Sequence, residues 1–136
     1  MALRHTSDLE TPASAILLIE DDTILAMDLS FSMSELGYRI VAVARTSAEA
    51  LFQARSDPPD LIVADVVLAD GSSGVDAVTD ILSAIGSKPV IYITAHSDKL
   101  NRPLDGIDGA LIEKPVQTDR LREALTEALR HKAASG

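Results

Sequence analysis

Leu61-Ile62-Val63-Ala64-Asp65 is an apolar run closed by a carboxylate, and Asp70-Gly71-Ser72-Ser73-Gly74 comes after it as a cluster of turn formers. Such a run reads as a buried strand, and a charged residue at its carboxyl end stands where open α/β sheets place their chemistry. Three further runs end in the same way. Ala15-Ile16-Leu17-Leu18-Ile19 is followed by Glu20-Asp21-Asp22, Val90-Ile91-Tyr92-Ile93 by Thr94, and Ala110-Leu111-Ile112-Glu113 by Lys114-Pro115. Four strand ends therefore bring an acidic cluster, a lone carboxylate, a hydroxyl and an ammonium to one edge of one sheet.

Working outward, short β-branched runs alternate with longer segments of helical spacing, which is the pattern of βαβ units building a parallel sheet. Strands are expected near 15–19, 39–44, 60–65, 89–94 and 109–112. Helices are expected near 22–36, 46–56, 74–86, briefly after His96, and 117–131. Gly37 suits the left-handed residue that closes a helix, and Asp57-Pro58-Pro59 stops the next one. Thr46-Ser47-Ala48-Glu49 has capping-box spacing. In the last helix Leu121, Leu125 and Leu129 share one face, so it packs on the sheet. Right-handed crossovers lead to an α/β, flavodoxin-like, doubly wound five-stranded parallel sheet of order 2-1-3-4-5 with helices on both faces.

The 136 residues suit one domain. A loose arm over 1–13, a folded unit over 14–131 and a short tail over 132–136 are expected. A net charge of -9 speaks against a nucleic-acid partner, which would need a basic stripe. The absence of cysteine removes disulfides and thiolate metal sites and agrees with a reducing, cytoplasmic setting. No apolar run is long enough to span a bilayer, and residues 1–12 lack the apolar core of a secretory signal.

The strand order makes the first and third strands neighbours, which brings Glu20 and Asp21 beside Asp65. Packed carboxylates repel, and the physical remedies are a raised pKa or a bound divalent cation. An all-oxygen donor set favours a hard ion, and Mg²⁺ fits it better than Ca²⁺. The same Glu20-Asp21-Asp22 run also suits the N-terminal end of a helix dipole, and the two roles are compatible. Asp65 can attack phosphorus to give an aspartyl phosphate, with Lys114 and Thr94 placed to hold phosphoryl oxygens.

This ordered set resembles the receiver domain of two-component response regulators over about residues 14 to 131. Glu20 and Asp21 match the family's acidic pair, Asp65 its phospho-accepting aspartate, Thr94 its Thr/Ser on the fourth strand, and Lys114-Pro115 its Lys-Pro after the fifth. The resemblance implies Mg²⁺-dependent transfer of a phosphoryl group to Asp65 from a partner histidine kinase or phosphotransfer protein. It implies that Mg²⁺ is held by Asp21, Asp65, the backbone carbonyl of Val67 and, through water, Glu20. It also implies a cis Lys114–Pro115 bond. A stand-alone receiver is expected, signalling to a downstream protein target or acting as a phosphate sink, and not a turnover enzyme.

Two departures stand out. The family's aromatic three positions before the lysine is Leu111 here, so the switch is expected to work through the loop from His96 to Asn101 or through the loop from Leu68 to Gly74. The Asp70–Gly74 turn resembles that of an alphaproteobacterial branch in general-stress and light signalling. His96, two places after Thr94, is placed to modulate water access to an acyl phosphate. Rival readings are a phosphorylation-independent interaction module, which Leu111 favours, and a small Mg²⁺ aspartyl phosphohydrolase, which Val67 disfavours because such enzymes carry an acid there. On the first helix Leu25, Leu29, Met33 and Leu36 form one apolar stripe and Ile24, Met27 and Phe31 a second. The second is expected to dock a kinase's helical bundle or another protomer of a homodimer.

Overall fold

The computed structural model describes residues 13–68, 71–95 and 109–135, with 131–135 as backbone only. Its elements in chain order are β1 (Ala15–Ile19), α1 (Thr23–Glu35), β2 (Arg39–Ala44), α2 (Ser47–Ser56), β3 (Leu61–Asp65), α3 (Gly74–Ile85), β4 (Val90–Thr94), β5 (Ala110–Glu113) and α4 (Thr118–Ser135). The five strands pair in parallel in the order β2-β1-β3-β4-β5, as the alternating pattern requires. The short helix expected after His96, residues 1–12 of the arm expected over 1–13, and the loop from His96 to Asn101 lie outside the described residues.

The sheet is covered on two faces because its central strands are apolar at every position and must bury both sides. All five residues of β1, β3 and β4 are buried. On one face Ile16, Leu18, Val63 and Ile91 meet Leu29 and Met33 of α1 and Leu121 and Leu125 of α4. On the other face Leu17, Ile62 and Ala64 meet Ala50 and Ala54 of α2 and Val78 and Ile81 of α3. The alternation of these two sets along each strand is the period-two geometry of a pleated backbone.

The helix ends obey their capping chemistry. Asp22 caps α1 by accepting the Leu25 N–H at 3.0 Å. Gly37, at a φ of 100°, ends it in a left-handed turn, with its N–H on the Ser34 carbonyl at 3.0 Å and the Tyr38 N–H on the Met33 carbonyl at 3.0 Å. Thr46 caps α2 through the Glu49 N–H at 3.2 Å, while the Glu49 carboxylate returns to the Arg45 N–H at 3.0 Å, one residue earlier than the usual reciprocal bond.

Two features differ from expectation. The pairing of β1 with β2 slips between Ile16 and Leu17, which leaves Val41 as an extra residue on the edge strand. Helix α4 runs to Ser135 rather than to 131, since Ala133 and Ala134 are strong helix formers that continue its backbone hydrogen bonding.

Candidate functional site

The carboxyl ends of β1, β3, β4 and β5 converge on one edge of the sheet. Register places Ile19 beside Ala64, Asp65 beside Ile93 and Thr94 beside Glu113. Glu20, Asp65, Thr94 and Lys114, which end or succeed these strands, are thereby delivered to the same edge. Asp65, Glu20 and Thr94 are all buried there, although each carries a polar group.

Asp65 is held from two sides. Its Oδ2 receives the Lys114 ammonium at 2.9 Å, and its Oδ1 receives the Val67 N–H at 3.2 Å. Lys114 also stands 3.8 Å from Glu20 Oε1, so a single ammonium serves two carboxylates. The Lys114 N–H donates to the Thr94 carbonyl at 2.8 Å, which ties the lysine to the end of β4. The Lys114–Pro115 bond is cis.

Glu20 is 1 % exposed, and its Oε2 accepts the Asp22 N–H at 3.0 Å while Oε1 has no hydrogen-bond partner. Burial, the largest cause, pushes its pKa from an ordinary 4.5 to about 7. The Asp22 N–H and the Lys114 charge pull it down, and the Asp65 charge pushes it up. Burial of the Lys114 ammonium works in the opposite sense to its partners. The Asp65 hydrogen bond and the negative charges of Asp65, Glu20 and Asp22 prevail, and its pKa is raised.

Donor oxygens of Glu20, Asp21 and Asp65 lie within 4.8 Å of one another. A buried carboxylate oxygen that accepts no hydrogen bond beside two more carboxylates is a donor set suited to a hard, hydrated cation such as Mg²⁺. The residues present therefore fit that ion. Val67 forms an antiparallel bridge with Ser73. The bonds flanking it use the Val66 carbonyl (from Gly74 N–H, 2.8 Å) and the Leu68 N–H (to Ser72 carbonyl, 2.9 Å), so the bridge does not consume the Val67 carbonyl.

Glu20, Asp21, Asp65, Thr94 and Lys114 are thus brought to one edge, as their strand-end positions predict, and Val67, named from the resemblance, lies two residues past the end of β3. His96, Ala69 and Asp70 lie outside the described residues. Asp22 fulfils the capping role read for the acidic run, while Glu20 and Asp21 face the cluster.

Two contributors were not apparent from the sequence. Arg45 donates from its guanidinium to the Asp21 carbonyl at 2.9 Å, across 24 residues of chain. Gly74 packs so closely on the Asp65 backbone that an added Cβ would collide with the Asp65 carbonyl oxygen. Its place in a turn-rich run signals a turn rather than this close approach.

With the acidic cluster, the aspartate, the threonine and the lysine arranged on this topology, the chain belongs to the response regulator receiver domain family, whose model matches residues 16–126. Among curated relatives, it is 42 % identical over 118 residues to the phyllosphere-induced regulator PhyR of Methylorubrum extorquens, covering 86 % of this chain and 44 % of that protein. It is 33 % identical over 116 residues to the transcriptional regulatory protein PdtaR of Mycobacterium tuberculosis, covering 84 % and 56 %. The chain spans about half the length of these two relatives. The receiver domain of Erythrobacter litoralis PhyR, solved by NMR, superposes with a TM-score of 0.77 at 38 % identity, covering 86 % of this chain and 90 % of that one. Crystalline PhyR of Bartonella quintana, described as an anti-anti-sigma factor, gives 0.80 at 35 % identity, covering 98 % and 55 %. Receiver regulators are signalling proteins of two-component systems, so neither the hydrolase nor the inert-module reading is favoured. No helix among the described residues is long and apolar enough to cross a membrane.

Proposed function

We propose that this chain is a cytoplasmic phosphoacceptor whose Asp65 takes a phosphoryl group from the phosphohistidine of a partner kinase or phosphotransfer protein. The observation that carries this reading is the contact of Asp65 Oδ2 with Lys114 at 2.9 Å beside a buried Glu20 oxygen that accepts no hydrogen bond.

Asp21 and Asp65 would hold Mg²⁺ directly, with the Val67 carbonyl, and Glu20 would hold it through water. When bound, the ion neutralises the clustered acids and the charge on the transferring group. An Asp65 carboxylate oxygen attacks phosphorus, an O–P bond forms, the donor's N–P bond breaks, and the released imidazole nitrogen takes a proton. Lys114, already on Asp65, moves its ammonium to a phosphoryl oxygen, and the Thr94 hydroxyl donates to another.

The donor's docking surface is read on α1. Ile24, Met27 and Phe31 are exposed by 74 %, 67 % and 68 %, while Ala26, Leu29 and Met33 are buried and Leu25 and Leu36 half-buried. A groove of about 360 Å³ between α1 and β2, lined by Ala26, Met27, Ser30 and Val43 among others, runs up to Glu20. A helical bundle presenting a phosphohistidine could rest on this stripe and reach the pocket. A second protomer is the other occupant. The output is a change in which protein the chain binds, the kind of role that the Bartonella quintana PhyR's description as an anti-anti-sigma factor denotes for that protein. Leu111 favours a second output, the draining of phosphoryl groups from a shared kinase. It is half-buried beside Tyr92 on β4 and offers no phenol to move between interior and solvent.

Incubation with phosphoramidate, whose N–P bond mimics phosphohistidine, tests the assignment by intact mass. Wild type should gain one phosphoryl increment with Mg²⁺ and none after chelation, and Asp65→Asn should gain none. Steady release of phosphate without an adduct would instead indicate a hydrolase.

A further inference from the structure

Three consecutive acids cannot hold a shared geometry against their own repulsion unless the backbone that carries them is fixed. The Glu20 N–H is bonded to the Ala44 carbonyl at 2.9 Å, and Asp22 is committed to the first turn of α1 through the Ala26 N–H at 2.8 Å. Between these anchors the Asp21 carbonyl takes the Arg45 guanidinium at 2.9 Å. Arg45 is itself held, because its N–H donates to Glu49 at 3.0 Å and the next residue, Thr46, caps α2. Residues 44 and 45, at the end of β2, thus grip residues 20 and 21, at the end of β1.

We propose that Arg45 is a positioning residue for the divalent-ion site, stapling the Asp21 backbone to the β2–α2 junction. This rests on the reading of Glu20, Asp21 and Asp65 as the Mg²⁺ donor set. The guanidinium bonds a main-chain carbonyl of Asp21 rather than a carboxylate oxygen of the donor set. Its positive charge opposes a cation, but Arg45 is exposed and that repulsion is screened by water and salt. Orientation therefore prevails over charge, and the net effect of Arg45 is tighter binding. Partners that orient metal ligands from behind commonly change affinity about 10–100-fold. An exposed bond belongs at or below the lower end of that range.

Magnesium binding to the unphosphorylated chain, monitored by isothermal titration and by amide shifts of Asp21 and Asp65, tests this without any phosphoryl transfer. Arg45→Ala should weaken Mg²⁺ binding about three- to tenfold. Arg45→Lys, which keeps a donor, should recover part of the loss and serves as the second variant should the alanine chain fold poorly. Arg39→Ala removes the same charge from the far end of β2, where Arg39 pairs with Asp57 at 3.3 Å, and should leave the affinity unchanged. Unaltered or tighter Mg²⁺ binding in Arg45→Ala, or equal weakening in Arg39→Ala, would overturn the inference. Absence of saturable Mg²⁺ binding in wild type would instead remove the donor-set reading beneath it.

Discussion

Glu20 concentrates the electrostatic tension of the pocket, since a carboxylate that is 1 % exposed has one oxygen on a backbone N–H and the other without a hydrogen bond, 3.8 Å from the Lys114 ammonium. With its pKa raised from 4.5 to about 7, the folded chain binds more protons than the unfolded chain between those values. Stability from this group is therefore complete at low pH and declines as pH rises from about 4.5 to about 7. Urea unfolding in chelator at several pH values should show this decline in wild type and its loss in Glu20→Gln. An identical pH slope in the two proteins would contradict the assignment. Because Mg²⁺ needs the charged form, its affinity should fall as pH drops below about 7. Titration of Mg²⁺ across that range measures it. The positions of Glu20, Asp21, Asp65, Thr94 and Lys114 were readable because each lies at or just beyond the end of an apolar run, and strand ends are set by local chemistry. Arg45 was not, because its bond depends on a side chain crossing between neighbouring strands.

Helix α3 is aimed by a contact that only a hydrogen side chain permits. Ser73 caps it by accepting the Val75 and Asp76 N–H groups at 3.1 and 3.3 Å, and Gly74 lies directly against the Asp65 carbonyl. The backbone of Asp65 and the start of the helix are in effect one joint. Gly74→Ala should cost about 1–3 kcal/mol by overpacking, seen as a lower urea midpoint. It should also slow phosphorylation of Asp65, because the strand end must shift to admit the methyl group. Unchanged stability would show that the joint yields freely. On α1, by contrast, the exposed stripe carries no such constraint. Met27→Lys with Phe31→Lys should leave stability within about 0.5 kcal/mol. The same pair should slow phosphotransfer from a protein donor while sparing the reaction with phosphoramidate. Equal rates from both donors would remove the docking surface. The two stripes on α1 were readable from spacing alone, whereas the extra residue at Val41 in β2 was not, because a slip in pairing leaves no mark on an apolar alternation.

At the scale of the whole molecule, a five-stranded parallel sheet presents four strand ends to one edge, and the proposed chemistry depends on that convergence rather than on any single motif. Apolar runs made the strand order legible, since buried central strands and right-handed crossovers leave few arrangements. The proposed response to phosphorylation was less legible. Leu111 removes the usual aromatic from β5, and its neighbour in register on β4 is the buried Tyr92. The effect of that exchange lies in packing, where sequence spacing says little. Both the switch and the docking surface presuppose that an Asp65 oxygen is the atom that bonds to phosphorus. The direct measurement is hydroxylamine treatment of the phosphorylated chain and then peptide mapping, since an acyl phosphate yields a hydroxamate at the residue that carried it. A hydroxamate at Asp65, formed only when Mg²⁺ was present during phosphorylation, is the predicted result. A phosphoryl group resistant to hydroxylamine, or a hydroxamate at any other residue, would contradict it.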